Sequence, residues 1–444
     1  MKINSERISG KLSEFPIEEI SFLTCFQVRH ESKITGLSFL LGFFLMICKG
    51  HSSLKNWALQ VSRLSGELVT AQAIQGRLQF RHQKFAEVLL AKVLKNQIEK
   101  SQAIHIPVRV LKGFNKVYLE DSTTIGLPKG LSEFFPGSKN QFGLSSNVRI
   151  QLRIELLSGD YSHVEIQSYR DNDQKFAYHI TEQLSPGDLV IRDMGYGVLG
   201  AFRQIKKMKA FFLSRKPFGS KVFDPKTGAE IDLLKKLKSL RRQGQNILDT
   251  EVLVGAKEQL SVRLVAIKVP QQVEQTRKRK AKNDRSKKAN HSQAYLEFLG
   301  WTIMITNVSQ KTWSPNDLLI TYRCRWHIEI IFKAWKSKLG FEKMFKEKQS
   351  LTPARVLISI YFLLIWLTLF FVRYYNYFLK EVFLKAKKWV SPLKFVDFVK
   401  DHFTELAEHE DLSLFIDEVA SFYSYDKRKL KKNMMEMIYV LKEP

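Results

Sequence analysis

Residues 188–215, DLVIRDMGYGVLGAFRQIKKMKAFFLSR, decide the fold. The run opens as a buried strand, DLVIRDMG, whose apolar centre is Leu189–Ile191. VLGAFRQIKKM then spaces its apolar residues as a helix does, and AFFLSR returns to a strand. Upstream, VRIQLRIELLSG (148–159) and SHVEIQSYR (162–170) alternate in period two around SGDY, which signals a hairpin. HIPVRVLKGF (105–114) and KVYLEDSTTI (116–125) also read as β segments. QKFAYHITEQL (174–184) reads as an amphipathic helix ahead of a turn at Ser185-Pro186-Gly187. Strands followed by alternating helix and strand predict a mixed α/β sheet with helices packed on it.

Outside this core the pattern changes. Residues 1–105 read as helical. Ser53 is placed to cap a helix carrying Leu54, Trp57, Ala58, Val61 and Leu64, Gly66 to end it, and Thr70 to cap a second helix, AQAIQGRLQFR. Helix, glycine turn, helix fits either a DNA-binding helix-turn-helix or an ordinary αα-hairpin. In the first case Gln72, Gln75, Arg77 and Arg81 suit a groove. Residues 217–300 interrupt the alternation with strand-like pieces, NILDTEVLVG and LSVRLVAIKV, and a basic run, Arg277–Lys288, expected to be mostly a solvated loop. WTIMITNV from Trp301 is a buried strand. Ser314-Pro315-Asn316 then starts a long helix reaching Leu339, and the remainder is helical.

Composition narrows the partners. The 444 residues are 44% hydrophobic and 26% charged, as in globular proteins, but 71 Lys and Arg face 44 Asp and Glu, for a net charge of +27. That excess suits a polyanion, because Lys and Arg displace counterions condensed on phosphates; a ribosome- or membrane-surface protein is the blander alternative. Cys25, Cys48 and Cys324 are too few and too scattered for a disulfide framework or a zinc site, and they point to a reducing compartment. MKINSERISG lacks the apolar core of a signal peptide, so a cytoplasmic, nucleoid-associated protein is expected. Ile34–Cys48 is short for a membrane span and Val356–Val372 borderline; the second is expected to be a buried core or interface helix.

Chemistry concentrates in three places. On the expected helix Asp317–Leu339, Tyr322, Arg325, Glu329 and Lys336 are three, four and seven residues apart, within about 60° on a helical wheel. Ile328, Ile331, Phe332, Trp335 and Leu339 form the opposite, apolar stripe. Alone, Arg325 and Glu329 are an ordinary i,i+4 pair. Asp121 ends the apolar alternation of KVYLED, and Asp193 ends LVIRD. Each could simply cap a helix or shape a turn. With Glu329 they make three carboxylates, the oxygen donors that Mg²⁺ prefers, and two such ions can drive phosphodiester displacement.

The spacing Y-x2-R-x3-E-x6-K resembles the C-terminal motif of the insertion-sequence-four family of DDE transposases, and YRCRWHIEIIFKAWKSKLG resembles its transposon-five member. YLEDST and VIRDMGYG match that family's first two motifs in order. The resemblance covers about residues 105–345, and Met194 departs from the arginine that many relatives have there. It implies a ribonuclease-H-like core at 106–344 with a β-rich insertion at 217–300. A helical DNA-binding region, 1–105, would precede the core, and a helical region for dimerisation, 345–444, would follow it. It further implies Asp121, Asp193 and Glu329 as ligands of two Mg²⁺ ions, with Mn²⁺ as a substitute, and Tyr322, Arg325 and Lys336 on phosphates. Trp301 would stack on a flipped base, and Arg215 and Lys333 would contact DNA. The expected partners are the terminal inverted repeats, target DNA and a second copy of the chain in a synaptic complex, with no membrane. A metal-dependent nuclease without strand transfer would use the same carboxylates, and a non-catalytic DNA-binding regulator could keep the same fold.

Overall fold

The computed structural model describes residues 12–99, 109–141, 143–283, 291–345, 351–408 and 411–426. The chain forms two compact units, each assembled from separate stretches. A strand-rich unit takes the described residues of 107–121 and 171–326. A helix-rich unit takes those of 1–106, 122–170 and 327–436.

The strands are β1 (Val117–Leu127), β2 (Pro136–Asn140), β3 (Gly143–Glu155), β4 (Tyr161–Ser168), β5 (Leu189–Arg192), β6 (Phe211–Arg215), β7 (Val222–Phe223), β8 (Ile247–Val254), β9 (Leu260–Lys268) and β10 (Trp301–Thr306). Their order is β2-β3-β1-β5-β6-β10-β9-β8-β7, with β4 beside β3. β1, β5 and β6 run parallel, whereas β3–β4 is an antiparallel hairpin. A mixed sheet with helices packed on it is the fold class expected from the sequence, and the one the family resemblance implies.

In the strand-rich unit β5 is buried along its whole length, as a central parallel strand covered on both faces must be. The helix Leu199–Lys207 buries Ala201, Phe202 and Ile205 and turns its lysines outward. Phe202 stacks on Phe212 of β6 with ring centroids 4.4 Å apart. The start of β5 is set by the turn before it. Gly187 takes φ +88°, a conformation that favours glycine, and the buried Asp188 carboxylate accepts from the amides of Ser185 and Lys116 at 2.8 and 3.1 Å. The stretch 217–300 adds β7, β8 and β9 to the sheet through β10, which pairs antiparallel with both β9 and β6.

The helix-rich unit centres on Phe362 of the helix Pro353–Trp366. Its ring lies 5.6–6.2 Å from those of Phe39, Phe43, Trp57 and Phe85, on the helices Gly36–Cys48, Leu54–Ser65 and Phe80–Glu99. The helical run Pro353–Ala386 is long and apolar enough to cross a membrane, yet 83% of its most apolar window is buried in the protein. The reading of Val356–Val372 as a core helix agrees with this packing. Ser53 and Thr70 cap their helices through Asn56 N and Ala73 N, and Gly66 ends the first with φ +73°.

Five local expectations are corrected. The second of those helices stops at Arg77, and Phe80–Glu99 is a separate helix, so Arg77 and Arg81 do not share a face. Arg77 is moreover spent internally, donating to the Phe26 carbonyl while its guanidinium lies over the Phe26 ring. Of HIPVRVLKGF, residues 105–108 lie outside the described residues and Arg109–Leu111 is a 3₁₀ turn. QKFAYHITEQL splits into two short helical pieces. The basic run is helical as far as Lys282, within Gln271–Lys282, and residues 284–288 lie outside the described residues. The helix expected over Asp317–Leu339 is two helices, Pro315–Arg323 and Trp326–Lys338. Between them Cys324 N and Arg325 N donate to carbonyls only three residues back.

Candidate active site

Asp121 is not at a strand end. β1 continues to Leu127, but its pairing with β5 stops at Glu120↔Arg192, so Asp121 is the first β1 residue beyond the shared register. Asp193 follows the last residue of β5 and precedes a 3₁₀ turn, Met194–Tyr196, that its side chain does not cap. Both carboxylates therefore emerge where two parallel strands stop pairing. This is the carboxyl end of the sheet, where α/β folds place their ligands. The capping role open to Asp193 from sequence is not the one it takes.

Two side chains from the end of the Pro315–Arg323 helix and the turn after it meet these aspartates. The Tyr322 hydroxyl donates to Asp193 Oδ1 at 3.1 Å. Arg325 Nη1 donates to Asp121 Oδ2 at 3.2 Å, and its Nε lies 3.8 Å from Asp193 Oδ1. The guanidinium also sits 5.8 Å from the Tyr322 ring centroid. Tyr322 and Arg325 are each only 7% exposed, so this part of the stripe is not a solvated helix face. Burial, followed by the charge of Asp193, pushes the Tyr322 hydroxyl well above the usual phenol range and keeps it a neutral donor. The helix starts where the sequence indicated. Ser314 and Asp317 form a reciprocal capping box, with Pro315 at the first turn.

Behind the aspartates lies a feature that the sequence reading missed. Glu120 and Arg192, each immediately before an aspartate, are register partners across β1 and β5. Both are fully buried, and Arg192 Nε donates to Glu120 Oε2 at 2.6 Å. The signal was a charged residue directly after a short apolar run in each strand, Val117–Leu119 and Leu189–Ile191, where only a paired charge is tolerated.

The other candidates are placed as follows. Arg215 ends β6, and its Nε is buried without a hydrogen-bond partner among the described residues; its charge is felt by Tyr322. Trp301 opens β10 at 6% exposure, packed into the core of the strand-rich unit. Its indole is a packing group here rather than an offered stacking surface. Trp326, next to Arg325, is instead 49% exposed. In the helix-rich unit, Glu329 is exposed in the first turn of Trp326–Lys338, Lys333 is exposed on the same helix, and Lys336 Nζ lies 3.9 Å from Glu342. The apolar stripe Ile328, Ile331, Phe332, Trp335 and Leu339 is buried as expected.

A divalent metal fits the chemistry of the two aspartates. They are hard oxygen donors, partly open at 18% and 38% side-chain exposure, and one guanidinium spans both, so a cation is already accommodated between them. Among the described residues no three His, Cys, Asp or Glu are grouped closely enough to hold a metal ion.

This sheet, with an aspartate on each of two adjacent parallel strands just beyond the point where their pairing stops, defines the class. Residues 112–366 match the family described as Transposase DDE domain, and the chain belongs to that family. It is 25% identical over 423 residues to the transposase for insertion sequence element IS231B of Bacillus thuringiensis subsp. berliner, covering 90% of this chain and 86% of that one. It is 27% identical over 314 residues to the transposase for insertion sequence element IS1151 of Clostridium perfringens, covering 66% and 65%. A piggyBac transposase synaptic complex with hairpin DNA overlays at a TM-score of 0.40 and 11% identity, across 97% of this chain and 85% of that one.

Proposed function

We propose that the chain is the transposase of its own insertion sequence, of the insertion-sequence-four kind. It binds the terminal inverted repeats, cleaves there, and joins the freed 3′ end to target DNA by way of a hairpin on the element end. The observation that carries this reading is the Tyr322–Asp193–Arg325–Asp121 cluster. Residues 129 and 204 positions apart meet with the residue types that the sequence motif called for. Asp121 and Asp193 would hold the metal, with Glu329, four residues beyond Arg325 in the chain, as the third ligand. Two Mg²⁺ ions, or Mn²⁺ in their place, would when bound supply an activated hydroxyl and a stabilised leaving oxygen.

The chain's own groups do the rest. Arg325 presents a planar, permanently charged fork, suited to a phosphate once the carboxylates are otherwise neutralised. Tyr322 offers a neutral donor that orients Asp193 or a phosphate oxygen. Arg215 adds charge nearby, and Lys333 and Lys336 add it to the flanking backbone. The half-exposed Trp326, rather than Trp301, is the indole offered to an unstacked base. A dimer on paired ends, acting on cytoplasmic DNA, completes the reading.

The test uses a labelled duplex carrying one inverted repeat and its flank, with Mg²⁺ and a supercoiled target. Nicked, hairpin and joined products are expected from the native chain. Asp121→Asn, Asp193→Asn and Glu329→Gln should each lose all three while still shifting the duplex in a gel. They should also lose Mn²⁺ binding measured by calorimetry. Cuts without joined products would leave a nuclease in place of a transposase, and cleavage that persists in any variant removes that residue from the site.

A further inference from the structure

The basic run of the insertion is untouched by the chemistry above. One residue of that run, Lys278, lines an open cleft of about 620 Å³ in the strand-rich unit. The cleft is lined from three elements: Arg241 and Asn246 at and beyond the end of the helix Leu233–Arg242, Lys268 at the end of β9, and Gln271, Gln275 and Lys278 on Gln271–Lys282. We infer that this cleft is a second, sequence-independent binding site for the phosphate backbone of duplex DNA.

Charge is the first argument. Residues 233–246 and 268–283 hold eleven Lys and Arg and a single acid, Glu274. Glu274 engages Lys278 at 2.5 Å, and Lys238 pairs with Glu297 at 2.7 Å. Arg241, Arg242, Arg279, Lys280 and Lys282 are exposed. So many like charges on adjacent elements repel one another, an arrangement that a polyanion relieves.

The second argument is the helix itself. Gln271–Lys282 buries no residue, so no apolar face explains its position. What ties it down is Arg277, which donates to the carbonyls of Leu299 and Trp301 at 3.3 and 3.1 Å and to Thr302 Oγ1 at 3.1 Å. One cation is thus used to dock the helix, Lys278 is paired with Glu274, and Arg279, Lys280 and Lys282 face solvent. Arg277 also feels the charge of Arg215, which in turn is felt by Tyr322 beside Asp193.

The lining chemistry selects the ligand. Ammonium, guanidinium and amide groups donate to phosphate oxygens, and no aromatic ring lines the cleft to read or stack a base. A metal ion has only one carboxylate there. The site therefore takes duplex backbone whatever its sequence. The inference rests on DNA being the substrate, but not on the chemistry performed on it.

The experiment is fluorescence anisotropy of the full chain with a 30-base-pair duplex lacking the inverted repeat, titrated with NaCl. The variant Arg241→Gln/Lys268→Gln/Lys278→Gln should lower the slope of log affinity against log salt by about 2 to 3, from roughly 0.9 per lost phosphate contact. It should also weaken binding about 10- to 100-fold near 0.15 M salt. Arg241→Lys/Lys268→Arg/Lys278→Arg should keep the native slope. Arg279→Gln/Lys280→Gln/Lys282→Gln, at exposed positions, gives the same reading if the first variant melts early. An unchanged slope in both neutralised variants overturns the site, as does equal competition by polyglutamate of matched charge, which would indicate an acidic protein instead. No cleavage is scored, so loss of the transposase reading and loss of the cleft are separate results.

Discussion

Replacing Glu120 by glutamine removes the negative member of a pair in which both side chains are fully buried and the donor–acceptor distance is 2.6 Å. At an effective dielectric constant near 20 and that separation, the attraction is about 6 kcal/mol, much of it offset by the desolvation of both ions. Truncating one partner does not return that desolvation, because the Arg192 guanidinium stays buried and charged. The expected cost is about 3–5 kcal/mol, a large share of a typical folding free energy of 5–15 kcal/mol. Urea unfolding followed by tryptophan fluorescence should show the midpoint falling by a corresponding amount at unchanged slope. The paired apolar replacement Glu120→Leu/Arg192→Met should recover most of the loss, since it removes both charges together. That double variant folds without the cross-strand tie behind Asp121 and Asp193, so its cleavage should remain impaired. A cost below about 1 kcal/mol for Glu120→Gln would refute the reasoning: the pair would then be hydrated, and the register lock absent.

Tyr322→Phe deletes one hydrogen bond to a charged carboxylate at 3.1 Å and should slow cleavage about 10- to 100-fold with little change in melting temperature; an unchanged rate removes the phenol from the site. Trp326→Ala should weaken binding to a duplex with an unpaired base at the cleavage point by about 5- to 100-fold, from roughly 1–3 kcal/mol of stacking. Trp326→Phe should keep most of that binding, and Trp301→Ala should lower the melting temperature instead, as expected of a core residue. Burial holds the His327 imidazole down to about 4, against the ordinary 6.5. Between those values the unfolded chain binds a proton that the folded chain refuses, so stability falls as pH drops from 6.5 towards 4 and is level above 6.5. By pH 5 the loss is about 2 kcal/mol. A His327→Asn chain should lack that slope in melting temperature between pH 6.5 and 5, and an equal slope in both chains contradicts the assignment.

Much of this was legible because it is local. The hairpin β3–β4 follows from period-two alternation, β5 from an uninterrupted apolar run, and the caps at Ser53, Thr70 and Ser314 from hydroxyls before helical patterns. Asp193 could be singled out because it ends a buried strand. The wheel that grouped Tyr322 with Arg325 gave the right pair for an incomplete reason. It assumed one continuous helix, whereas three-residue hydrogen bonds tighten the chain at Cys324 and Arg325. Nothing in a helical wheel shows that a polar stripe is buried, since here it packs on aspartates 129 and 204 residues away in the chain. The end of β1 was misplaced because an aspartate breaks an apolar alternation without breaking the backbone ladder. Charge alone suggests a loop for the basic run, although Gln, Lys, Arg and Ala are all good helix formers and outweigh the repulsion as far as Lys282.

The aromatic cluster around Phe362 has a consequence for how the chain is made. Its partners Phe39, Phe43, Trp57 and Phe85 leave the ribosome early, but the helix that covers them starts only at Pro353. At ordinary synthesis rates they wait for about 15–50 s with their rings uncovered, within reach of other nascent chains and of chaperones. A chain terminated before Pro353 never gains its cover, so a premature stop there is expected to yield an aggregation-prone fragment.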